Sequence, residues 1–140
     1  MKSIEKNNIV FIKLFRDEDI KESLKKACKK HEVNSAILIS GIGQLDYAKL
    51  GYFKKKGDYH PEEFYNPLEI LNLSGNIIKD SNEYLLHLHI TLGQEDKKTI
   101  GGHLIEGKIS ITGEIVILKT DIKLKRIYDE KTGLKSLSIE

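Results

Sequence analysis

Residues 84–92 read YLLHLHITL. Apolar and polar positions alternate, which is the period of a β-strand with one face on a core. Tyr84, Leu86, Leu88, Ile90 and Leu92 fall on one face; Leu85, His87, His89 and Thr91 fall on the other. Strands of this pattern belong in antiparallel sheets, which keep one face wet. Residues 109–118, further along, are long and β-rich. Residues 67–73 (PLEILNL), upstream, alternate and then meet Ser74-Gly75-Asn76, a turn signal. Before them, residues 36–40 (AILIS) read as a short buried strand that runs into Gly41-Ile42-Gly43, a tight turn. Residues 47–53 read as the next strand and 54–58 as a polar turn.

The ends complete the pattern. Residues 8–15 (NIVFIKLF) read as a strand buried on both faces, and residues 134–139 as a last strand after the loop at 129–133. One segment has helical period. Over residues 17–31, Ile20, Leu24, Ala27 and Cys28 share a face, Asp19 can cap, and Glu22 stands at capping-box spacing. The expected class is α+β: one helix on a mainly antiparallel sheet of about seven strands. The expected organisation is one domain over residues 7–139 behind a flexible end at 1–6.

Composition narrows the function classes. The 140 residues carry a formal net charge of +2, and only Arg16 and Arg126 are arginine. Arginine is the usual reader of guanine edges and narrow minor grooves, so this is a poor footprint for sequence-specific DNA binding. Cys28 is the only cysteine, which excludes an intrachain disulfide. No signal-peptide pattern opens the sequence and no apolar run approaches a membrane span, so the cytoplasm is the expected compartment.

His87 and His89 carry the chemistry. Two imidazoles two residues apart on a strand project side by side, at a spacing the backbone holds rigid, which suits capture of a metal ion. His103 follows in Gly101-Gly102-His103-Leu104. Paired glycines let a backbone pass close to another element, and a hairpin or crossover would bring His103 beside the first two. Three nitrogen ligands with one open position is the pattern of a catalytic zinc site. The competing reading is a plain surface His-x-His with His103 at a turn. His31 and His60 read as surface residues. Glu69 and Glu106 are candidate general bases or ligand-orienting carboxylates. Cys28 reads as an inert core hydrophobe, and Lys54, Lys55 and Lys56 as a solvated loop.

Taken in order, the motifs resemble a known family. They are Gly41-Ile42-Gly43 with Leu45; Ala48, Leu50, Gly51, Tyr52 and Phe53; and Pro67-Leu68-Glu69-Ile70-Leu71 with Leu73, Gly75 and Asn76. His87-Leu88-His89, Gly101-Gly102-His103-Leu104 with Glu106-Gly107, and Thr132-Gly133-Leu134 with Leu137 follow. The string resembles the PPC domain family, the domain conserved in plants and prokaryotes, over about residues 7–139. The resemblance implies an α+β fold assembled as a homotrimer. Plant members carry the domain behind AT-hook segments, and no Arg-Gly-Arg-Pro hook occurs in this sequence. This sequence also has Asn66-Pro67 where plant forms carry a Gly-Arg pair. The fold is also similar to that of acetolactate decarboxylase, which holds zinc through three histidines, two of them as His-x-His.

The resulting expectation is a trimeric metal-binding protein. His87, His89 and His103 hold zinc, Glu69 or Glu106 handles a proton, and a small molecule is the ligand. The alternatives are a DNA-binding or transcription-associated module that contacts phosphates through lysines, and a protein-interaction scaffold without chemistry.

Overall fold

A computed structural model describes residues 1–139. The alternating stretch forms β6 (Glu83–Gly93), as its period requires. In chain order the other elements are β1 (Lys2–Lys6), β2 (Ile9–Leu14), α1 (Ile20–Lys30), β3 (Ser35–Lys55), β4 (Asp58–Phe64), β5 (Leu68–Asp80), β7 (Thr99–Thr120), β8 (Leu124–Asp129) and β9 (Leu134–Ile139). Seven strands form one antiparallel sheet in the order β1-β2-β7-β6-β5-β3-β4, and β8 pairs with β9 alone. β3 also pairs with β7, so β7, β6, β5 and β3 close a ring. The core includes Leu88, Ile90 and Leu92 of β6, with Leu45 of β3, Leu73 and Ile77 of β5 and Leu104 of β7, all buried.

α1 packs on β7, β2 and β6. Ile20, Leu24, Ala27 and Cys28 are its buried face, as the spacing predicts. Burial pushes the Cys28 thiol up to about 12, so it behaves as an apolar group. Asp19 caps the helix by accepting from the Glu22 N–H at 2.9 Å. The Glu22 carboxylate does not close the box; it pairs with Lys25 at 2.8 Å.

Several local expectations change. Residues 36–53 are one strand, not two with a turn at Gly41-Ile42-Gly43, and Ser74-Gly75-Asn76 lies inside β5. The glycines there serve close strand crossings. Gly43 has φ +142° and Gly75 φ +146°; an added Cβ would stand 2.1 Å from the Thr112 carbonyl oxygen or 2.0 Å from that of His87. Residues 8–15 are not buried on both faces. In β2, Val10, Ile12 and Leu14 face the core while Phe11 is exposed, because only one side of that strand is covered by α1. β4 escapes a hydrophobic reading because it is an edge strand bearing Asp58, Pro61, Glu62 and Glu63, paired only with β3. Residues 2–6, expected as a flexible end, form β1 against β2. His31 is not simply a surface residue. Its ring lies 3.2 Å from Glu5 Oε2 and 2.9 Å from Ser3 Oγ, holding β1 to the helix end. His60 is exposed, 2.6 Å from Asp58 Oδ1.

Candidate metal centre

β6 and β7 make an antiparallel hairpin whose turn spans residues 94–98. Gln94 N–H donates to the Lys98 carbonyl at 2.9 Å, and the Asp96 carboxylate accepts from the Lys98 N–H at 3.0 Å. That short turn sets the register, and the register puts His89 directly opposite His103. His87 lies two residues back on the same face of β6. The Gly101-Gly102 pair is required by contact on both sides. A Cβ on Gly101 would meet the Ile90 carbonyl oxygen at 2.8 Å, and one on Gly102 that of Gly51 at 2.9 Å.

The three rings therefore converge. Their centroids are 5.0 Å apart for His87 and His89, 5.3 Å for His87 and His103, and 5.5 Å for His89 and His103. One nitrogen from each lies within 4.8 Å of the others. The Nε2 atoms of His87 and His89 stand 3.2 Å apart. Burial, then His87, His89 and Lys21, hold the His103 imidazole down at about 4. His87 is also lowered, by burial first and then by Arg126 and His89. Both rings are thus neutral near neutral pH and present lone pairs, which is the form that binds metal. Three converging imidazoles, those of His87 and His103 held neutral, fit a borderline cation of the zinc type.

The two carboxylates of the sequence reading are placed elsewhere. Glu69 stands opposite Gly93, four residues along β6 from His89, about 13 Å at the usual strand rise. It accepts from Gln44 Nε2 at 2.8 Å. Glu106 stands opposite Lys49, with the Tyr47 hydroxyl at 3.4 Å. Sequence reasoning did not connect Arg126, Tyr52, Tyr59 or Tyr84 to the histidines, yet all four line the same cavity of about 930 Å³. No spacing rule links them to residues 87–103; Arg126, one of only two arginines, was the single available signal.

A ring of antiparallel strands backed by one helix, with three histidines converging on the face of one hairpin, defines a histidine-site α+β protein. The chain belongs to the Plants and Prokaryotes Conserved (PCC) domain family, whose profile matches residues 1–121. It is similar to a candidate DNA-binding protein from Bacteroides thetaiotaomicron, with 28% identity, a TM-score of 0.92 and coverage of 99% of this chain and 96% of that one. It is similar also to a metal-containing protein from Archaeoglobus fulgidus, with 27% identity, a TM-score of 0.84 and coverage of 96% and 95%. Bifunctional protein GlmU of a Synechococcus strain is 32% identical over 131 residues, 92% of this chain. The chain spans about a fifth of that relative's length. Among the described residues, no helix is long and apolar enough to cross a membrane.

Proposed function

We propose that this protein is a homotrimeric zinc protein acting on a small molecule, with His87, His89 and His103 as the metal ligands. The observation that carries the reading is the convergence of three imidazole nitrogens within 4.8 Å at the rim of a large cavity. The metal-containing relative from Archaeoglobus fulgidus supports it. When bound, such a cation supplies Lewis-acid polarisation. His87, His89 and His103 would hold it, the β6–β7 register fixing where their rings stand, and aromatic side chains wall the cavity. The trimer is supported by an open groove that includes the exposed side chains of Ile4, Phe11 and Ile42, apolar surface of the kind that copies of a chain cover.

Elemental mass spectrometry on tag-free protein, beside His87→Ala/His89→Ala, tests the metal. The expected result is about one zinc per chain, lost in the double variant; equal metal in both sinks the assignment. Light scattering tests the assembly, with three times the 16.0 kDa chain mass expected. Similarity to the Bacteroides protein supports a second reading, duplex DNA held at its phosphates by lysines such as Lys26, Lys29 and Lys30. That reading requires binding that weakens steeply with salt, and a failure to retain duplex at low salt removes it.

A further inference from the structure

The cavity beside the histidines has a one-sided charge. Lys21, Lys25, Arg126 and Lys135 line it, and among the described residues no aspartate or glutamate does. Of these four, Lys25 is paired with Glu22. Arg126 comes from β8, and its guanidinium is half-buried and donates to Asn76 Oδ1 at 2.5 Å. Asn76 in turn stands opposite His87 in the β5–β6 register. A neutral amide orients the guanidinium and leaves its charge unbalanced; among the described residues Arg126 has no carboxylate partner. Imidazole is an uncharged ligand, so a dication on the three rings adds two further positive charges, and no carboxylate among the described residues lining the cavity offsets them. A partly desolvated cluster of that sign is costly unless an anion joins it. The remaining wall is apolar and aromatic, with Tyr52, Phe53, Tyr59, Tyr84, Leu85 and Leu86.

We propose that this cavity binds a small-molecule carboxylate with an apolar body, its carboxylate held by the Arg126 fork beside the histidine-bound metal and its body against the tyrosines. The proposal rests on the metal reading above and deepens it by naming the ligand class. Arginine suits the task because its planar fork matches a carboxylate in two parallel hydrogen bonds. Arg126 lies beyond residues 1–121 matched by the family profile, on the first strand of the last hairpin.

The test is calorimetric titration of zinc-loaded protein with 3-phenylpropionate, 3-phenylpropanamide and acetate, with zinc content measured on the same samples. The charged aryl ligand is expected to bind about tenfold or more tightly than its neutral amide, and more tightly than acetate, which lacks the body that the aromatic wall would cover. Arg126→Gln is expected to lose that charge preference while keeping its zinc and its circular-dichroism spectrum. Arg126→Lys keeps the charge without the fork and is expected to recover part of the affinity. Equal binding of acid and amide, or an Arg126→Gln variant that is folded, zinc-loaded and unchanged in affinity, overturns the proposal and leaves the metal site standing. Acetate binding as tightly as 3-phenylpropionate overturns the apolar-body half. A wild-type chain that takes up no zinc overturns both readings together.

Discussion

His87, His89 and His103 sit on strands that are paired on both edges, β6 between β5 and β7, and β7 among β6, β2 and β3. Arg126 sits on a ribbon of two strands that pair only with each other. The ribbon is tied to the body by few contacts, among them Arg126 to Asn76 and Lys56 Nζ to the Glu130 carbonyl at 2.6 Å. Its apolar side chains stay exposed, with Ile127 and Tyr128 each more than half accessible. The two sides of the cavity are thus held by different physics. The histidine side is fixed by register within a packed ring, and the arginine side is placed by a few polar contacts. Precision of position is built into the first, and freedom to adjust into the second.

Core truncation breaks this comparison most directly. Leu88, fully buried between the two metal-ligand candidates of β6, should cost about 3 kcal/mol on Leu88→Ala. The same change at the exposed Leu137 of β9 should cost less than about 0.5 kcal/mol. Denaturant unfolding of the two variants compares them, and equal losses would show that the hairpin is as much part of the cooperative unit as the ring.

A smaller effect is expected where the helix joins the ring. Asp19 Oδ1 caps α1 and its Oδ2 accepts from the Gly107 N–H of β7 at 3.3 Å. Asp19→Ala should cost about 1–2 kcal/mol, seen as a lower midpoint with an unchanged denaturant slope. A changed slope would mean that the helix unfolds apart from the sheet.

The smallest effect sharpens the picture of the other peripheral ribbon, β1. Lys119, and then His31, hold the Glu5 carboxyl below its usual 4.5. The unfolded chain therefore takes up a proton there before the folded chain does. Stability from this contact is present above about pH 4.5 and is lost as pH falls through the lowered value. Glu5→Gln should flatten that acid limb in thermal melts taken across pH 3–6, and an unaltered limb would assign the acid sensitivity elsewhere.

Legibility in the sequence follows the same division. His87 and His89 could be paired from the sequence because β6 has one buried face and the period of two fixes what shares the other. His103 was within reach because a glycine pair beside it marked a close crossing. The Gly43 and Gly75 crossings misled, since a glycine forced by a neighbouring carbonyl looks in one dimension like a turn. Strand β4 was hidden by its charges and Pro61. Arg126 could not be placed at all. Its partner Asn76 is 50 residues away, and no local pattern encodes the docking of one ribbon on another.

The turn at residues 94–98 has a consequence for the order of events in folding. All three histidines lie within residues 87–103, so closing one short hairpin suffices to gather them, a microsecond-scale event for an isolated pair of strands. The cavity wall waits for contacts with β3, α1 and the last ribbon, which are far off along the chain and slow to close. The donor set is thus available before its enclosure exists, and refolding with and without added zinc reads the interval between the two.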